Sequence, residues 1–285
     1  METSSLGRRL ARRFIAGETL DQALEAVGRL KREGITVTLD HLGESVTNRE
    51  EARAASDVCL RAMDALHANG FEGNVSLKLT QFGLDISYEE CLANVERLAR
   101  RAREIGGFVR VDMESSAYTQ RTLDLVAELY GRYGSVGTVI QSYLLRSRAD
   151  IEFLNARRIR VRLCKGAYLE PPEVAFADKG AVDRSYFELA KLLLDGGVYP
   201  AIATHDPALI AQIEQYVADR KIPRDAFEFQ MLYGIRRDLQ VRLVQRGYRL
   251  RLYVPFGRAW YPYYMRRLAE RPANVLFILR NIFRH

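Results

Sequence analysis

Eight short segments rich in Val, Ile, Leu and aromatic residues recur along this chain, and a longer stretch with helical periodicity follows each one. That alternation constrains the fold more than any other feature. The predicted strands cover residues 35–40, 75–80, 108–113, 137–142, 159–164, 199–204, 227–232 and 249–254. Connections too long for hairpins imply parallel strands joined by right-handed crossovers. Eight strands close a barrel, and the 285 residues are enough to build one. The expected fold is therefore α/β, a (β/α)8 TIM-type barrel, with an extra N-terminal helix over 17–33 and a last helix starting near Tyr261. No Gly-, Ser- or Pro-rich linker interrupts the pattern. The expected organisation is a single catalytic domain over 1–285, with 1–34 as its N-terminal helical segment and 35–285 as the barrel. An open doubly wound sheet is the rival, but no G-x-G-x-x-G occurs to mark a dinucleotide turn.

Local signals agree with the helices. Ala55, Val58, Cys59, Ala62, Met63 and Leu66 follow the spacing of one buried helix stripe. Thr47 with Glu50 and Ser87 with Glu90 read as capping boxes, and Asp206-Pro207 reads as an N-cap with a first-turn proline. Gly106-Gly107 should stop the helix that Ser87 opens.

Forty-three Lys and Arg against 36 Asp and Glu leave a charge of +7 spread along the sequence, which suits anionic ligands. Cys59, Cys91 and Cys164 have no metal-ligand spacing, so no metal site is expected, and their odd number speaks against a disulfide framework. A reducing, cytoplasmic setting follows. The longest apolar runs, such as 275–279, fall far short of the roughly 20 residues a membrane span requires. Arg8, Arg9, Arg12 and Arg13 read as a solvated basic helix, with peripheral contact to anionic lipid on the inner membrane face as the other reading. Neither zinc-finger nor RNP signatures occur, so nucleic acid is not an expected partner.

In such a barrel, chemistry gathers at the carboxyl ends of the strands. Polar residues stand at nearly all of them: Asp40 and His41, Lys78, Asp112 with Glu114, Gln141, Arg162 and Lys165, Thr204 and His205, Gln230, and Tyr253. His41 reads as structural. Lys78 interrupts an apolar strand, where a buried lysine needs a partner for its charge. Arg162 and Lys165, followed by Gly166-Ala167, look like an anion cradle without the spacing of a nucleotide P-loop. On the last helix Tyr263 and Arg266 share a face, and Glu270 can brace Arg266 and Arg267 as a fork for a carboxylate.

These residues fall within ordered stretches that resemble the proline dehydrogenase family. They are NVSLKLTQFG at 74–83, VRVDME at 109–114, VIQSY at 139–143, RVRLCKGAY at 160–168, ATHD at 203–206, EFQMLYG at 228–234 and YYMRRLAE at 263–270. The resemblance implies a distorted barrel, non-covalent FAD, and oxidation of L-proline to 1-pyrroline-5-carboxylate with electrons passed to a quinone or similar acceptor. It implies FAD contacts from Met113, Gln141, Arg162, Lys165, Gly166, Ala167, Thr204 and His205. Substrate would be enclosed by Lys78, Ala167, Tyr168, Leu232, Tyr253, Tyr263, Arg266 and Arg267, with Asp112 and Arg162 at the reacting centre. Pro171-Pro172 and Asp178-Lys179-Gly180 stand where long bifunctional relatives carry a more arginine-rich loop. A monofunctional enzyme is expected, its product passing to a separate 1-pyrroline-5-carboxylate dehydrogenase. A barrel flavoenzyme acting on hydroxyproline or pipecolate is the alternative.

Overall fold

Strand residues alternate between an apolar side and a polar one, and that alternation organises the molecule. The computed structural model describes residues 13–43 and 46–269, the side chains of 266–269 excepted. Among the described residues the order is α1 (Leu20–Arg32), β1 (Thr36–His41), α2 (Arg49–Ala68), β2 (Asn74–Leu77), α3 (Tyr88–Ile105), β3 (Phe108–Val111), α4 (Thr119–Tyr133), β4 (Val136–Gln141) and α5 (Ser147–Ala156). It continues with β5 (Val161–Cys164), α6 (Lys179–Gly196), β6 (Ala201–Ala203), α7 (Pro207–Asp219), β7 (Glu228–Leu232), α8 (Arg237–Gln245), β8 (Leu250–Phe256) and α9 (Trp260–Ala269). The strands run parallel in sequence order, and β8 pairs back onto β1 to close the barrel. The expected (β/α)8 architecture is the observed one.

Outward positions such as Val75, Leu77, Val109, Val111, Leu163, Phe229, Leu252 and Val254 are buried under the helices and form the apolar core. Registers such as Asp40 with Ser76, Ser76 with Arg110, Arg162 with Ala201, Ala201 with Glu228 and Gln230 with Arg251 put the polar alternates on the inner side. Arg162 on β5 reaches the Ser76 hydroxyl on β2 at 3.0 Å, a bond that crosses the interior. No helix among the described residues is long and apolar enough to cross a membrane.

Boundaries differ from expectation where the chain leaves the sheet. β2 stops at Leu77, so Lys78 sits past the strand, on the way into the short 3-10 turn Thr80–Phe82. β3 stops at Val111 and β6 at Ala203, which leaves Asp112 and Thr204 on the rim. The cap of α2 is Asn48, whose side chain accepts from Glu51 N, while the Glu51 carboxylate accepts from Thr47 N at 3.0 Å. The box is thus displaced by one residue from Thr47-Glu50. Ser87 does cap α3, but the Glu90 carboxylate turns away to pair with Arg49 at 2.9 Å. Gly106 ends α3 in the left-handed conformation, and Asp206 caps α7 ahead of Pro207. α9 begins at Trp260, one residue before the expected start.

Candidate active site

The carboxyl ends of the strands surround a cavity of about 640 Å³, inside the usual range for small-molecule sites. Lys78, Asp112, Met113, Gln141, Arg162, Lys165, Gly166, Ala167, Tyr168, Thr204, His205, Leu232 and Tyr253 all line it. These residues come from every strand end except those of β1, and parallel closure is what brings them together.

Asp112 is the hub of one wall. Its Oδ1 accepts from Arg162 Nη1 at 2.6 Å, and its Oδ2 accepts from the Tyr253 hydroxyl at 2.9 Å. The guanidinium also lies over the Tyr253 ring, 5.3 Å from its centroid. Burial, then the charge of Asp112, pushes the Tyr253 hydroxyl well above its ordinary range, so it stays a donor. Removing one member of such a buried pair strands the other's charge at a cost of about 3–5 kcal/mol. Lys78 faces the same space and pairs with the fully buried Asp40 at 3.8 Å, which gives its charge the partner that burial demands.

The opposite wall is built by the loops after β5 and β6. Lys165 binds Asp206 at 3.0 Å and also pairs with Asp183, to which Lys179 donates at 2.7 Å. Burial raises the Asp206 and Asp183 carboxyls, but the lysine bonds outweigh it and hold both below the ordinary carboxylate value. His205 Nε2 accepts from Leu232 N at 2.9 Å, so its ring proton sits on Nδ1 while the ring is neutral. Cys164, also on the cavity wall, is pushed up to about 12 by burial and stays a neutral thiol.

Sequence reasoning named Gln230 but missed the charged pairs beneath it. Gln230 Oε1 accepts from Arg162 Nε at 2.6 Å, and its Nε2 donates to Glu228 at 2.5 Å. Glu228 is paired with Arg251, and Arg110 donates to the Thr138 and Arg160 carbonyls across the same layer. The signal was present as strand alternation, in Val109-Arg110-Val111 and Glu228-Phe229-Gln230.

Tyr263 is buried in an aromatic cluster with Phe14, Ile15, Leu42, Trp260 and Tyr264, away from the cavity lining. Arg266 and Arg267 fall on α9, but their side chains, and Glu270 altogether, lie outside the described residues. His41 is structural as expected: its carbonyl accepts from Gln81 at 3.0 Å, and its ring meets Phe256. Glu114 braces the turn after β2 by accepting from the Thr80 hydroxyl at 2.7 Å.

Residues 23–280 match the family model described as proline dehydrogenase. Proline dehydrogenase 1 of Bacillus subtilis strain 168 is 43% identical over 279 residues, covering 98% of this chain and 92% of the relative. Proline dehydrogenase of Deinococcus radiodurans is 43% identical over 280 residues, covering 96% and 90%. Among solved structures, proline utilization A from Bdellovibrio bacteriovorus, inactivated by N-propargylglycine, aligns with a TM-score of 0.85 at 30% identity. That alignment covers 91% of this chain and 32% of the longer protein.

Proposed function

Because the chain belongs to the proline dehydrogenase family, and so oxidises proline as the first step of proline degradation, we propose that it works with non-covalent FAD at the barrel mouth and delivers electrons to a quinone-type acceptor. The observation that carries this reading is the Arg162–Asp112–Tyr253 wall, which faces a cavity whose remaining lining is part apolar and part cationic. The donor set fits a flavin. Met113, Val139 and Leu232 offer surface for a flat ring, while Gln141, Arg162, Lys165, Thr204 and His205 offer polar groups for its edge and its phosphates. Gly166 and Ala167 keep the loop between them free of bulk. When bound, FAD supplies the acceptor for a hydride from the carbon beside the substrate nitrogen.

The chain's own groups do the rest. Arg162 and Lys165 place positive charge where a reduced flavin becomes negative. Lys78, Ala167, Tyr168, Leu232 and Tyr253 bound the space left for a small cyclic amino acid. Arg266 and Arg267, assigned from their place on the last helix and from the family resemblance, hold the substrate carboxylate as a bidentate fork. Asp112 fixes both the Arg162 guanidinium and the Tyr253 hydroxyl, so this wall keeps its shape as substrate enters. The product passes to a separate dehydrogenase.

A visible spectrum decides the cofactor. Purified protein is expected to be yellow, to bleach on addition of L-proline, and to lose activity with N-propargylglycine. Protein that stays colourless when offered FAD, or a flavin spectrum indifferent to proline, overturns the reading. Arg266→Met or Arg267→Met should raise the KM for proline by ~10-fold or more with FAD still bound, as loss of a charge-assisted bond requires. Unchanged kinetics in both would remove the fork.

A further inference from the structure

Three nitrogens of the Arg162 guanidinium are held by residues on β2, on β7 and on the rim just past β3. Nη1 donates to Asp112 at 2.6 Å, Nη2 to Ser76 at 3.0 Å, and Nε to Gln230 Oε1 at 2.6 Å. The third bond continues inward. Gln230 Nε2 donates to Glu228 Oε1 at 2.5 Å, and Glu228 accepts from Arg251 Nε at 2.9 and 3.1 Å. Arg251 is in turn tied to the Val37 carbonyl at 2.8 Å and to Glu72 at 2.7 Å. A string of side chains thus runs from the barrel's interior to the cavity wall.

We propose that Gln230, backed by Glu228 and Arg251, is a positioning residue for proline oxidation, setting the angle at which Arg162 presents its guanidinium to the cavity. The proposal rests on the role given to Arg162 above. Its physical basis is the polarity of an amide. A primary amide accepts at one end and donates at the other, so it can link a guanidinium to a carboxylate. Glu228 is ionised against Arg251 and claims the NH2 end, which leaves only the carbonyl end for Arg162 Nε. Gln230, Glu228 and Arg251 are at most 3% exposed, so in the folded protein each of their polar atoms depends on its protein partner. The Arg251–Glu228 pair is complete without Gln230; the extra link extends it to the residue at the wall, and Gln230 itself borders the cavity.

The test compares Gln230→Leu with the exchange Glu228→Gln plus Gln230→Glu. The first removes the link. The second reverses its order, so that the new carboxylate faces Arg162 and the new amide faces Arg251, with every donor still matched. Two readouts are taken. The Nε–H resonance of Arg162, assigned with Arg162→Lys, is followed in flavin-free 15N-labelled protein. Flavin reduction by proline is followed in loaded protein by stopped flow. Gln230→Leu should expose the resonance to solvent exchange and slow reduction by ~10²-fold, the scale of a misplaced catalytic group, with a smaller change in the KM for proline. The exchange should restore the resonance and most of the rate, and it alone carries the test should Gln230→Leu not fold. A protected resonance and a normal reduction rate in Gln230→Leu overturn the proposal, as does an exchange variant that folds yet recovers neither readout. Wild-type protein that binds no flavin counts instead against the cofactor reading, and the resonance still decides whether Gln230 orients Arg162.

Discussion

Tyr253 serves Asp112 through its hydroxyl and Arg162 through its ring, and the two services can be separated. Tyr253→Phe deletes the 2.9 Å bond to Asp112 Oδ2 but leaves a ring where the guanidinium rests. A hydrogen bond to a charged group is worth about 1.5–3 kcal/mol, so kcat/KM for proline should fall by ~10- to 100-fold. Because the Arg162 bond to Asp112 survives, FAD should remain bound. Steady-state kinetics with the flavin-to-protein absorbance ratio measures both. An unchanged kcat/KM would mean that Asp112 needs no second donor, and a colourless variant would mean that the ring contact had failed as well.

The loop after β5 depends on one backbone conformation. Gly166 has φ of +118°, and a Cβ there would lie 2.3 Å from the Tyr143 ring. Tyr143 cannot step aside cheaply, since its N–H bonds the Lys165 carbonyl at 2.9 Å and its carbonyl accepts from Phe176 N at 2.8 Å. Gly166→Ala should therefore lose about 1–3 kcal/mol of stability and weaken flavin retention, because Lys165 and Ala167 move with the loop. A thermal melt and a flavin titration report the two effects; wild-type behaviour in both would show that the loop accommodates a side chain. The sequence marked this element well. Small residues after Arg162 and Lys165 announced a close approach, and Asp206-Pro207 announced the start of α7. Strand ends were read less well for a physical reason. Lys78 and Asp112 continue the alternation of their strands, Thr204 follows the short strand Ala201–Ala203, and composition does not tell where backbone pairing stops. Tyr263 packs in an aromatic cluster, because an aromatic on a helix face serves a packed cluster as readily as a ligand.

Across the whole molecule, the repeat of strand and helix made the barrel legible, and the strand ends made most of the cavity legible, whereas the charged interior was hidden among apolar neighbours. That interior should make the protein sensitive to acid. Burial pushes the Glu228 carboxyl up, but the charge and hydrogen bonds of Arg251, helped by Gln230, outweigh it and hold the group below its ordinary value of 4.5. Asp183 and Asp206 are held down in the same sense by Lys165. A carboxyl with a depressed folded value adds stability that is fully present above its unfolded value and disappears as pH falls through the folded one, because the unfolded chain then binds more protons. The melting temperature should accordingly be flat near neutrality and decline below about pH 4.5, where the unfolded carboxyls begin to protonate. Glu228→Gln tests the contribution of the buried layer. It leaves Arg251 buried opposite a neutral group, so stability at pH 7 should drop by about 3–5 kcal/mol. The decline below about pH 4.5 should also become shallower, because one proton-linked group has gone. Calorimetric melts of both proteins between about pH 3.5 and 7 separate these effects. A variant that is destabilised at pH 7 but declines in parallel with the wild type would place the acid-sensitive groups elsewhere, in the Lys165 cluster at the mouth instead of the layer beneath it.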